Sequence, residues 1–194
     1  MTRRTLIITA ATMAVVVVAA VIALVAVRRK PVPTAAAATP ATTAAEASAS
    51  PGRRIKAQLF YVSDDGMRLV GVEREVPYAE RPVDQAREIL NAQMAPVTAP
   101  LVSAVPSGAV LRAIFLTENG QAYVDLSREV TTAHPGGSLN EMLTIYTIVH
   151  ALTFNLPAVT AVQLLVDGKE VDTLAGHVDL RRPLSKNLQL ATEN

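Results

Sequence analysis

Cysteine is absent from all 194 residues, which excludes disulfides, zinc–thiolate centres and a thiol nucleophile together. Tryptophan is absent too, and aromatics make up only 4% of the chain. That scarcity weakens the case for a carbohydrate platform built on large aromatic faces. Histidine occurs three times, at His134, His150 and His177, with no H-x-x-x-H or H-x-H spacing. No D-x-D-x-D-G loop and no nucleotide-binding glycine loop is present either, so neither a metal nor any other cofactor is expected.

Charge of one sign is also scarce. The net charge is +1, yet residues 1–54 carry seven basic side chains against one acidic, and residues 55–194 carry eleven against sixteen. The first part is therefore +6 and the second −5. A mildly acidic second part lacks the basic patch of a nucleic-acid binder, so nucleic acid is not an expected partner.

What the chain does have is one long apolar run. Leu6–Val27, "LIITAATMAVVVVAAVIALVAV", contains 22 residues without a charge. A helix of roughly 20 residues crosses a ~30 Å hydrocarbon core, and a cleaved signal has a shorter apolar region and a small-residue cleavage site. The run is expected to be an uncleaved signal-anchor helix over residues 6–27, preceded by a short stub, 1–5. Basic residues flank it on both sides, so charge alone does not orient it. The expected arrangement keeps the stub in the cytoplasm and the C-terminal domain outside. Residues 28–54 form a basic flank and a linker rich in Ala, Thr and Pro, which has no large apolar side chains to offset the entropy of ordering. Its 24 residues from Pro31 to Arg54 reach at most about 75 Å when stretched at ~3.1 Å each.

From Ile55 the pattern changes. Three pairs of apolar runs flank the turns Asp64-Asp65-Gly66, Asn119-Gly120 and Asp167-Gly168, and each reads as a β-hairpin. Two helices separate them. "RPVDQAREILNAQM" opens with Pro82, where a missing N–H costs nothing, and sets Val83, Ala86, Leu90 and Met94 on one face before Pro96 stops it. In "GGSLNEMLTIYTIVHALTFNLP", Ser138 and Glu141 have the spacing of a capping box. The expectation is an α/β two-layer domain over residues 55–184, ordered ββαββαββ, with a mainly antiparallel or mixed sheet. Residues 185–194 form a tail.

"HPGGSLNEMLTIYTIVHALT" followed by "VTAVQLLVDGKEVDTLAGHVDL" resembles the GerMN domain of sporulation and germination proteins and related envelope lipoproteins. The upstream "APLVSAVPSG" and "GQAYVDLS" are similar to the middle of that domain. One departure is His150, where the family more often has Asn. The resemblance implies a non-enzymatic extracytoplasmic domain that contacts envelope proteins or peptidoglycan during sporulation, germination or peptidoglycan-associated assembly. Here a transmembrane anchor stands in place of the lipid found on some relatives.

Candidate sites can be weighed residue by residue. His177 and Asp179 lie two apart, so on a strand they share a face and can form a base-catalytic pair in a wall-modifying hydrolase, with a carboxylate such as Glu141. No nucleophile elbow accompanies them. The simpler expectation is that His177 bonds a backbone carbonyl and Asp179 pairs with Arg181 or Arg182. His150 reads as a core histidine with one satisfied nitrogen, and His134 as loop surface. Asp64-Asp65-Gly66 is ordinary turn chemistry rather than a calcium loop. On the second helix, Asn140, Thr144, Thr147, Ala151 and Asn155 make an uncharged stripe of the kind that suits contact with an envelope partner or a second copy of the chain. On that expectation, Thr147→Arg disrupts assembly without unfolding the domain.

Overall fold

The computed structural model describes residues 52–192. The expected transmembrane run 6–27, its stub and most of the linker lie outside the described residues. Among the described residues no helix is long and apolar enough to cross a membrane.

β1 (Arg54–Val62) and β2 (Leu69–Pro77) form the first hairpin, in antiparallel register from Arg54 opposite Pro77 to Val62 opposite Leu69. α1 (Pro82–Met94) follows, with Pro82 in its first turn and Ala95 ending it. β3 (Leu111–Leu116) and β4 (Gln121–Leu126) form the second hairpin. A short helix, α2 (Glu129–Thr132), precedes the long α3 (Ser138–Asn155). β5 (Ala161–Val166) then runs parallel to β4, as the intervening helix permits, and turns back into β6 (Lys169–Glu170). β7 (Ala191–Thr192) closes the described chain, parallel to β2.

The element order matches the expected ββαββαββ with α2 and β7 added, but the strands divide into two sheets. These are β1-β2-β7 and β3-β4-β5-β6. Alternation explains the second sheet's inner face. Ala122, Val124 and Leu126 of β4 lie opposite Val162, Leu164 and Val166 of β5, and all are buried. They join Ile114, Ile89 and Leu90 of α1, and Ile145, Ile148, Val149 and Leu152 of α3 in one core. A second, smaller cluster of Phe60, Leu69 and Leu143 lies against the first sheet.

The two-sheet division has a visible cause at β1. Its far edge pairs with side chains and a loop instead of a strand. Gln93 of α1, fully buried, accepts from Phe60 N (2.7 Å) and donates to Phe60 O (2.8 Å). Asn155 of α3 does the same for Gln58, at 2.8 and 2.7 Å. Val62 N–H then donates to Val102 O at 2.9 Å. Two helix amides thus occupy the positions of a neighbouring strand and satisfy main-chain groups that burial would otherwise leave costly.

The turns follow their sequences with one adjustment. Asp167 (φ 50°) and Gly168 (φ 75°) both adopt the left-handed conformation, as a two-residue hairpin turn requires. In the Asn119-Gly120 turn only Gly120 does so, at φ 80°. The third hairpin is much shorter than expected, because β6 has two residues and only an isolated bridge, Val162 to Leu184, continues the pairing.

Candidate functional site

The cause of that short hairpin is Glu141, in the first turn of α3. The expected capping box does not form. Gly137 is the N-cap (φ 87°), Ser138 is already helical, and no side chain caps the end. The Glu141 side chain points into the protein instead and is fully buried. Its Oε1 accepts from Leu174 N (2.8 Å) and Ala175 N (2.9 Å), and its Oε2 from His177 N (2.8 Å) and His177 Nδ1 (3.1 Å). A carboxylate offers about four lone-pair sites, and all four are used. The main chain after β6 therefore bonds a side chain where it would otherwise extend a strand.

Burial alone would push the Glu141 carboxyl up, but the backbone N–H groups of Ala175, His177, Leu174 and Val178 outweigh it and hold the carboxyl below its ordinary value. His177 is about half exposed, and its partner is a carboxylate rather than the expected backbone carbonyl. Asp179 does not join it. Arg181 holds both Asp179 oxygens, through Nε at 2.9 Å and Nη2 at 2.8 Å, as expected from their spacing. These bonds keep the Asp179 carboxyl well below the usual range, with Arg182 adding to the effect. The proposed His177–Asp179 pair is thus divided between two separate arrangements. Neither contains a nucleophile.

His150 is fully buried among Phe60, Tyr146 and Phe154, with ring centroids 5.0–5.4 Å apart. Its Nε2 accepts from Asn187 N (3.1 Å), tying the C-terminal tail to α3. The proton of the neutral ring then sits on Nδ1, which has no hydrogen-bond partner. Burial lowers its pKa to about 4, and the Lys186 ammonium adds to the shift. The core reading with one satisfied nitrogen fits this geometry. His134 is half-buried rather than fully on the surface. Its Nδ1 accepts from Gly136 N (2.9 Å), and its Nε2 lies 3.2 Å from the Thr144 hydroxyl, which donates to Ala104 O.

The uncharged stripe on α3 needs correction as an exposed surface. Thr144, Thr147 and Ala151 are buried inside the chain, Asn155 is engaged by Gln58, and only Asn140 is exposed, donating to Gly136 O. The physical reason is that α3 lies between the two sheets and is covered on both sides, so its small uncharged residues are those that fit close neighbours. Among the described residues no group of three or more potential ligands is placed to hold a metal ion. Asp65 serves its own turn, accepting from Ser63 Oγ and from Met67 N at 2.9 Å.

Sequence reasoning missed three polar fixtures. Gln93 lies seven residues after Ala86 on the apolar face of α1, which signals a polar group with a buried task. Asp125, nearly buried, accepts from Gly168 N (2.7 Å) and meets Arg112 Nε at 3.2 Å, while Arg112 also bonds Asp167. Those partners are remote in sequence, and nothing local announces them. The third is Glu141, whose spacing mimicked a cap.

With this geometry in hand, comparison with known proteins gives a consistent picture. The family described as Germane, sporulation and spore germination, matches residues 58–172, more than half of the chain. Among solved structures, the first GerMN domain of the sporulation protein GerM from Bacillus subtilis is similar at 18% identity and TM-score 0.50, over 69% of this chain and 96% of that one. The tandem GerMN domains of the same protein are similar at 15% identity and TM-score 0.54, over 69% of this chain and 46% of theirs. At these identities the likeness is one of fold. No curated protein matches the chain.

Proposed function

The chain belongs to the Germane family of sporulation and spore-germination domains, and on that footing we propose that it is a non-enzymatic binding or scaffold module of the bacterial cell envelope. In this reading Leu6–Val27 anchors it in the cell membrane as a single-pass span. Residues 28–54 space the domain from the bilayer, and the domain faces outward to bind envelope proteins or peptidoglycan in sporulation, germination or wall-associated assembly.

The observation that carries the reading is the saturation of Glu141. It is a fully buried carboxylate beside an accessible imidazole, the pairing an acid–base enzyme would use. Yet each of its four acceptor positions holds a donor from residues 174–177. Accepting a substrate proton would require breaking the clamp that holds the loop. The arrangement therefore supports a structural carboxylate that fixes a surface loop, and the rival hydrolase built on His177 and Asp179 loses the pairing between those two residues.

The test is photo-crosslinking in intact cells of the source bacterium. The probes sit at Phe115, which is 60% exposed, and at the exposed Glu73. Adducts with an envelope protein, peptidoglycan or a second copy of the chain are expected. A folded, membrane-bound protein that yields no adduct from either position contradicts the module reading.

A further inference from the structure

We infer that the segment from Asn187 to Thr192 is a strap that acid releases, with His150 as the group that senses the proton. Few bonds hold this segment. Asn187 N–H donates to His150 Nε2 at 3.1 Å, and Leu69 N–H donates to Leu190 O at 2.8 Å. β7 adds two residue pairs along β2, and Ala191 packs on the cluster of Phe60, Leu69 and Leu143. Leu188 adds little, being 62% exposed. An element with so few buried apolar contacts opens at lower cost than the core does.

A hinge precedes the strap. Leu184 exchanges two main-chain bonds with Val162, at 2.9 and 2.8 Å, and so pins the chain just upstream. Ser185 and Lys186, both exposed, lie between this pin and Asn187. Asn187 also shapes the strap from within. It accepts from Gln189 N–H through Oδ1 (3.0 Å) and from Leu190 N–H through its carbonyl (3.2 Å). Once Asn187 lets go of the ring, the strap can swing as a unit about residues 185 and 186.

Protonation breaks that hold. The neutral ring carries its proton on Nδ1, which is buried without a partner, and accepts at Nε2. A proton taken from solvent gives an imidazolium with N–H at both nitrogens, so Nε2–H would face Asn187 N–H, donor against donor. The ring meets Phe60 of β1, Tyr146 and Phe154 of α3, and Asn187 of the strap. Lys186 Nζ stands 5.3 Å from the centre of the Phe154 ring. Tyr146 and Lys186 are the titratable groups in this set. Among the described residues no carboxylate acts on the ring to stabilise an imidazolium, and the Lys186 ammonium opposes one. Swinging the strap away hydrates the ring, separates the two donors and carries Lys186 off.

pH then sets the balance between shut and open. Under the strap the ring has a pKa of about 4, against an ordinary 6.5 to which water returns it when the strap opens. As pH falls, the open form therefore takes up the proton first, and opening becomes about twentyfold more favourable between pH 7 and pH 5. Above about pH 6.5 the strap stays shut. Opening uncovers the side of the Phe60, Leu69 and Leu143 cluster on which Ala191 rests.

The experiment is amide hydrogen exchange on the full-length chain in detergent micelles, read by NMR between pH 5 and pH 7 and corrected for intrinsic rates. At Asn187 and Leu69 the opening equilibrium is expected to rise about twentyfold from pH 7 to pH 5. It should respond little to low urea, because a local motion exposes little surface. Phe60 N–H, held by Gln93 in the core, should stay far better protected at each pH. His150→Gln and His150→Asn cannot titrate, and whichever folds should show strap exchange that is flat across this range. Wild-type exchange at Asn187 and Leu69 that ignores pH, or that equals exchange at Phe60, overturns the assignment. So does a non-titrating variant that keeps the wild-type pH dependence.

Discussion

Glu141 and His150 are both fully buried and titratable, and they fail differently as conditions change. Glu141→Gln keeps the volume but loses the charge and turns an amide N–H₂ towards backbone donors. Loss of charge-assisted bonds and exposure of unmatched N–H groups should cost about 3 kcal/mol, read as a lowered urea midpoint and faster amide exchange at residues 174–177. The Glu141 pKa is depressed in the folded state, so its contribution is present above the unfolded carboxyl value and is lost as pH falls through the folded one. His150 acts at higher pH. Its folded value lies near 4 against an ordinary 6.5, so the unfolded chain takes up a proton first as pH falls. Stability is complete above about pH 6.5 and erodes towards pH 4, by about 2 kcal/mol between pH 7 and pH 5. His150→Asn removes the titrating ring, and urea unfolding of that variant should be nearly flat across this window. Thr147→Arg, expected from sequence to leave the fold intact, puts a guanidinium at a position with no solvent exposure. It should prevent folding, seen as loss of soluble or detergent-extractable native protein.

Among the elements, β1 depends most on groups outside its own sheet. Gln93 and Asn155 close its far edge with paired donor and acceptor bonds. Gln93→Leu would leave the Phe60 N–H and C=O buried without partners, at a cost of roughly 3 kcal/mol. The check is chemical denaturation, with exchange of the Phe60 amide as the local readout. The hairpins and helices themselves were legible, because periodicity and turn chemistry are local signals: Asp167-Gly168 makes its turn as the dipeptide suggests, and Pro82 opens α1. The last hairpin was not. "VDTLAGHVDL" carries apolar residues at strand-like intervals, but its N–H groups are taken by a carboxylate more than 30 residues upstream. Spacing between Ser138 and Glu141 fits a cap as well as it fits an inward-pointing clamp, and only the tertiary fold distinguishes them. The α3 stripe misled for a related reason, since small uncharged residues suit a crowded interior as well as an interface.

At the scale of the whole molecule, membership of the Germane family and the saturated Glu141 carboxylate are what support the proposed account. The Glu141 clamp holds a surface loop in place, and on the proposed reading the domain binds rather than turns over. Family membership was legible because its motifs lie in continuous stretches. The paired sheets were not, because their separation depends on Gln93 and Asn155 acting across 33 and 97 residues. The most direct measurement incubates the full-length chain with peptidoglycan fragments and follows the fragments by mass spectrometry, beside a His177→Ala variant. The account predicts fragments of unchanged mass with both proteins. New products from the wild-type chain that disappear with His177→Ala would contradict it.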